Sequence, residues 1–171
     1  MFTRHYPYWP AGEPKTLSVP RTSVYYNLEV SARRYPENTA LDYYGGRFSY
    51  RELRRQAEAL AGFLQARCGV KRGDRVLLYT QNSPQFVIGY YAILRADAVV
   101  VPVNPMNRTE EVRHYVEDAD AFAVLSTQEL WPQIEPLAGV AGLRHCVIGA
   151  YSDYLPAGGD LPLPDFVRAP R

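Results

Sequence analysis

Between residues 75 and 126 the chain alternates short apolar runs with longer amphipathic ones, and nothing else in it constrains the fold so tightly. Runs over 75–80, 98–103 and 121–126 are rich in Val, Leu and Ala and read as buried strands. Between the first two, Ser83-Pro84 places a capping serine before a proline at the first helical position. The helix they open carries Phe86, Val87, Tyr90, Tyr91, Ile93 and Leu94, apolar nearly all round, which demands burial. Thr109 caps the next helix, with Glu110 and Glu111 in the first turn, where the helix dipole favours them. Its inner face is Val112, Tyr115, Val116 and Ala119. A shorter helix over 128–137 and a strand over 145–148 complete the series. The predicted class is α/β, a mostly parallel sheet flanked by helices.

Upstream, Tyr25, Leu28, Ala32 and Tyr35 mark one face of a helix that must end near Pro36. Segments 39–44 and 47–49 read as an N-terminal hairpin, with Gly45-Gly46 supplying the positive φ of its turn. A second helix begins with a capping box, Ser49-x-x-Glu52, flanked by Phe48 and Leu53 at the staple positions. Its apolar set is Leu53, Ala57, Leu60, Ala61 and Leu64, running on to Gly69. This motif places a helix and performs no chemistry.

The ends differ from the middle. Residues 1–20 hold Pro7, Pro10, Pro14 and Pro20 among Tyr6, Tyr8 and Trp9, an extended arm that packs on the domain or on further polypeptide. Residues 21–150 form the α/β subdomain, and 151–171 have the proline, glycine and aspartate composition of a linker. A net charge of +1, from arginines that are scattered rather than clustered, points away from nucleic acid and anionic membrane partners. Cys68 and Cys146 fit no metal or redox spacing and suit a reducing cytoplasm. Residues 1–20 lack the continuous apolar stretch of a signal peptide, and the longest nearly apolar run, 86–94, is far shorter than the roughly 20 residues of a membrane span.

Chemistry-bearing constellations are absent. Holding a triphosphate takes a glycine- and hydroxyl-rich loop with a lysine or Mg²⁺ beside it, and the chain has no such loop. His5, His114 and His145 fall in a tail, a helix and a strand edge, and no serine or cysteine sits in an elbow before a helix. Asp118 and Asp120 end a helix without the further carboxylates a metal would need.

Two segments carry a resemblance. Phe48-Ser49-Tyr50-Arg51-Glu52-Leu53 and Leu94-Arg95-Ala96-Asp97-Ala98-Val99-Val100-Val101-Pro102-Val103-Asn104-Pro105 stand in order, with Arg72-Gly73-Asp74-Arg75-Val76 and Asn82-Ser83-Pro84 between them. In sequence and spacing they resemble the opening third of the acyl-adenylate-forming (AMP-binding) enzymes, most of all the long-chain fatty acyl-CoA synthetases. The resemblance implies a partial N-terminal subdomain of that fold. It also implies a complete enzyme that uses ATP, Mg²⁺ and CoA to convert a fatty acid to acyl-AMP and then to a thioester. The family's phosphate loop and catalytic lysine lie downstream of such a segment, so the resemblance implies no catalytic residue, no metal ligand and no bound cofactor here. By analogy with relatives in which the stretch after the second segment borders the CoA nucleotide, Arg108 and Arg113 would meet a CoA phosphate; the plain alternative is a pair of surface arginines.

Partners implied are the remainder of the enzyme and, through uncovered apolar surface, a second copy. Asp97 stands where the family usually has glycine, and a left-handed backbone is predicted there. A self-contained, non-catalytic α/β binding or adaptor module is the other reading the residues allow.

Overall fold

The computed structural model describes residues 2–158 and 161–171; Met1 of the arm and Gly159 and Asp160 of the expected linker lie outside it. Helix α1 spans Tyr25–Arg34 and buries Tyr25, Leu28 and Ala32. Tyr35, expected on the same face, is 54% exposed. Proline at 36 pushes the residue before it out of the helical region, and Tyr35 takes φ −135° and ψ 53°, which turns its ring outward.

Strands β1 (Thr39–Tyr43) and β2 (Gly46–Ser49) pair antiparallel. The turn falls one residue earlier than expected: positive φ belongs to Tyr44 (49°) and Gly45 (84°), while Gly46 lies in the ladder opposite Tyr43. The Asp42 carboxylate accepts the Gly45 N–H at 3.3 Å. Gly46 serves close approach instead, since a Cβ there would stand 2.9 Å from the carbonyl oxygen of Tyr154.

Helix α2 (Tyr50–Ala66) opens on the expected box: Ser49 Oγ accepts the Glu52 N–H at 3.3 Å, and the Ser49 N–H donates to Glu52 Oε2 at 2.9 Å. Leu53, Ala57, Ala61 and Leu64 are its buried face.

Four parallel strands form the main sheet: β3 (Arg75–Tyr79), β4 (Val99–Pro102), β5 (Ala121–Thr127) and β6 (His145–Gly149), in the order β4-β3-β5-β6. Helix α3 (Pro84–Arg95) joins β3 to β4, and α4 (Thr109–Asp118) carries the chain back across β3 to β5. A short α5 (Trp131–Ile134), set between 3₁₀ turns, leads to β6. Because the connections reverse direction at β3, right-handed crossovers must place α3 and α4 on opposite faces. The core shows this. Val76 and Leu78 pack with Leu64 and Ile93 on one side, whereas Leu77 and Tyr79 pack with Val112, Val116, Ile134 and Leu137 on the other.

Two joints set the sheet's lower edge. Helix α3 ends in a Schellman motif: the Ala98 N–H bonds to the Ile93 carbonyl at 3.1 Å and the Asp97 N–H to that of Leu94 at 3.1 Å. Asp97 has the left-handed backbone predicted for it, φ 59°. Arg75 on β3 fastens the start of β5, its Nε donating to the Ala119 carbonyl at 2.6 Å and its Nη2 to Asp120 Oδ2 at 2.6 Å.

Residues 151–158 and 161–171 are more structured than their composition indicates. A 3₁₀ turn at Tyr151–Tyr154 and a one-turn helix, α6 (Asp165–Arg168), bury Tyr151 and Val167. In the arm, the rings of His5, Tyr6 and Trp9 pack on one another, and no arm residue joins the core clusters among the described residues. Among the described residues no helix is long and apolar enough to cross a membrane.

Candidate functional site

In open α/β sheets, ligands settle in the crevice beyond the carboxyl ends of the strands, where the connections reverse direction. Here that point lies beyond β3 and β5. A cleft of about 310 Å³ opens at it, lined by Tyr79 and Gln81 after β3, Asn107 and Arg108 before α4, and Glu129 and Gln133 around α5.

Its walls are fixed by hydrogen bonds that the sheet positions. The Tyr79 hydroxyl donates to the Asn107 carbonyl at 2.5 Å, holding the loop after β4 against the sheet. Gln133 Oε1 accepts both the N–H and the Oγ1–H of Thr109, at 3.0 and 2.9 Å. Thr109 is therefore not the cap of α4, as had been expected. The capping position is Arg108, whose N–H donates to Glu111 Oε2 at 2.7 Å. Since Gln133 claims the Thr109 side chain, its hydroxyl ties α4 to α5 and does not turn back on its own helix.

Beneath the cleft lies a buried knot of hydroxyls. Tyr151 Oη accepts the Thr127 Oγ1–H at 2.9 Å and the Gln81 N–H at 3.0 Å, and stands 3.1 Å from Thr80 Oγ1. Burial pushes the Tyr151 phenol above its ordinary pKa, and the bonds from Thr127 and Thr80 oppose the shift. Tyr79 is raised likewise by burial, with Arg108 acting against the shift and Glu129 adding to it. Both phenols stay neutral in the physiological range and act as rigid hydrogen-bonding posts.

The two arginines singled out from the sequence part company. Arg108 is exposed on the rim of the cleft. Arg113 is not among its lining residues, and its Nε donates to Glu110 Oε2 at 3.3 Å on the surface of α4. Glu129 supplies the opposite charge: Oε1 accepts weakly from Gln81 Nε2 at 3.5 Å, and Oε2 is buried without a partner. Among the described residues no histidine, serine or cysteine lines the cleft. It offers one cation, one carboxylate and several amides, a set that binds and orients but pairs no nucleophile with a base.

Sequence reading missed Gln81, Glu129, Gln133 and Tyr151. The first three are ordinary polar residues until the strand order is known, and only that order brings their loops together. Tyr151 was hidden in a stretch with a linker's composition.

The comparisons with known proteins agree with this architecture. Residues 28–161 match the family model of the AMP-binding enzymes. The long-chain-fatty-acid–CoA ligase of Bacillus subtilis (strain 168) is 32% identical over 148 residues, 86% of this chain and 26% of that protein. Among solved structures, the anthranilate CoA ligase AuaEII, in complex with anthranoyl-AMP, superposes with a TM-score of 0.73 at 24% identity, over 80% of this chain and 27% of its own. A long-chain-fatty-acid-CoA ligase from Archaeoglobus fulgidus gives a TM-score of 0.70 at 24% identity, over 78% of this chain and 28% of its own. The chain thus spans about a quarter of the length of the relatives it matches. With a family model covering most of its length and a parallel sheet of the same fold, the chain belongs to the AMP-binding enzyme family.

Proposed function

We propose that this chain is a scaffold portion of an ATP-dependent, cytoplasmic fatty acyl-CoA ligase. The complete reaction condenses a fatty acid with ATP to acyl-AMP and pyrophosphate, then passes the acyl group to the CoA thiol with release of AMP. The observation that carries this reading is the 32% identity over 86% of the chain to a long-chain-fatty-acid–CoA ligase. The two free thiols, Cys68 and Cys146, accord with a reducing compartment.

The residues present do not fit a magnesium triphosphate. A single guanidinium facing a buried carboxylate cannot offset that charge, and the sequence lacks a loop of clustered glycines and hydroxyls ending in lysine. No adenylation step is therefore assigned to this chain's side chains. A CoA phosphate is a smaller demand. Arg108, fixed at the start of α4 and exposed on the rim, is the group proposed to hold it, with Arg113 further along the same helix. Partners of the scaffold are the remaining three quarters of the ligase and, through it, the fatty acid.

The test is ATP–pyrophosphate exchange with palmitate, then thioester formation with CoA, on the polypeptide translated from the whole reading frame. Exchange that depends on fatty acid, with none from the 171-residue chain alone, is the expected result. Exchange by the 171-residue chain, or a whole polypeptide indifferent to fatty acids, would overturn the reading.

A further inference from the structure

Arg108 is an exposed side chain on a fully hydrogen-bonded backbone. The peptide group before it, joining Asn107 to Arg108, is held at both poles. Its carbonyl accepts the Tyr79 hydroxyl at 2.5 Å, and its N–H donates to Glu111 Oε2 at 2.7 Å. The peptide group after it is held likewise. The Arg108 carbonyl accepts the Val112 N–H at 2.9 Å, and the Thr109 N–H donates to Gln133 Oε1 at 3.0 Å. Just upstream, the carbonyl and the Oδ1 of Asn104 accept the N–H groups of Asn107 and Met106, at 3.0 and 2.9 Å.

Tyr79 is the hold that reaches down into the core. It ends β3, the strand flanked by β4 and β5, and its buried ring packs in one cluster with Val103 and Val112. Glu111 alone satisfies the start of α4, so closing that helix does not require the phenol. Arg113 gives the contrast: it is ion-paired with Glu110, whereas among the described residues Arg108 has no ion pair. An arginine that captures an anion must have its backbone and its rotamer ordered. At Arg108 the backbone is ordered beforehand, and only the side-chain torsions remain to be fixed.

We infer that Tyr79 and Glu111 are positioning residues, which clamp the Asn107–Arg108 peptide between them so that Arg108 meets a phosphate of CoA from a fixed backbone. This deepens the ligase reading above and rests on it.

The test is steady-state thioester formation by the polypeptide from the whole reading frame, with CoA and with pantetheine, which carries the thiol and no phosphate. Tyr79→Phe keeps the ring and removes the hydroxyl. It should lower kcat/KM for CoA about fivefold, through KM, and leave the value for pantetheine as in the parent. Beside Arg108→Ala the same substitution should change nothing further, because it acts through that arginine. Glu111→Gln and Glu111→Ala shed the same charge, but only glutamine keeps an acceptor for the Arg108 N–H, so the alanine variant should show the higher KM for CoA. That pair carries the test if Tyr79→Phe does not fold. Equal losses on CoA and pantetheine, a loss that persists beside Arg108→Ala, or an unaltered KM for CoA overturns the inference. A parent without fatty-acid-dependent pyrophosphate exchange sinks the ligase reading, and calorimetric titration of CoA then compares the same variants by Kd. An active ligase that loses CoA affinity with Arg108→Ala but not with Tyr79→Phe sinks this inference alone.

Discussion

Tyr151 and Thr127 meet through their hydroxyls, Thr127 Oγ1 donating to Tyr151 Oη at 2.9 Å, and this bond joins the end of β5 to the turn that follows β6. The same phenolic oxygen accepts the Gln81 N–H, so one atom ties together the loops after three strands.

Tyr151→Phe keeps the ring and removes that atom. The Gln81 N–H and the hydroxyls of Thr80 and Thr127 are then left short of a partner in a site that is almost fully buried. The expected loss is about 1–3 kcal/mol, several degrees in Tm by calorimetry for a chain of this size. An unchanged Tm would show that water satisfies the knot equally well.

Two helical glycines should respond in opposite ways to alanine. At Gly89 a Cβ would lie 2.9 Å from Leu78 Cδ1 and 3.1 Å from Leu125 Cδ1, both on packed side chains of the sheet. Overpacking of about 1–3 kcal/mol outweighs the roughly 1 kcal/mol that alanine gains in a helix. At exposed Gly62 nothing lies within 4 Å, so only the gain remains. Urea denaturation should place Gly89→Ala below the parent and Gly62→Ala above it; the reverse order would refute the close packing of α3.

Asp97 closes α3 in a left-handed conformation, and among the described residues no side-chain hydrogen bond fastens it there. Asp97→Gly should hold or raise stability by up to about 1 kcal/mol, while Asp97→Val should lower it by about 1–2 kcal/mol, because a β-branched residue is least suited to that region. Equal stability of the two variants in thermal unfolding would contradict the left-handed backbone at Asp97.

The capping box at Ser49 has a pH signature. The Ser49 backbone N–H, followed by the Ser49 hydroxyl, holds the Glu52 carboxyl below its ordinary range. A depressed folded pKa adds stability above the unfolded value, near 4.3, and that stability is lost as pH falls through the folded value. Glu52 is exposed, so screening keeps this part to at most about 0.5 kcal/mol. Ser49→Ala should cost about 1 kcal/mol at neutral pH but keeps the backbone N–H, whereas Glu52→Gln removes the titrating carboxyl and should flatten the acid limb of the stability curve below pH ~4.3. A Glu52→Gln variant with an unaltered acid limb would assign that limb to other carboxylates.

Local physics made much of the fold legible. Ser49-x-x-Glu52, Ser83-Pro84 and the aspartate at 97 each specify a backbone conformation through their immediate neighbours, and each was found where the chain announced it. Errors arose where a distant contact outbid a local one. Gly46 is needed by the Tyr154 carbonyl and so leaves the turn to Tyr44 and Gly45, while Thr109 answers to Gln133. The cleft was illegible for the same reason, since Gln81 and Glu129 become neighbours only once β5 has been laid beside β3.

The strand order carries a cost during synthesis. Of the four parallel strands β3 leaves the ribosome first, yet it occupies an inner place, flanked by β4 and β5. Until Thr127 has been made, its Val76-Leu77-Leu78-Tyr79 run has no complete home, and a nascent chain stalled within that interval displays a sticky ribbon to any chaperone or neighbouring ribosome product.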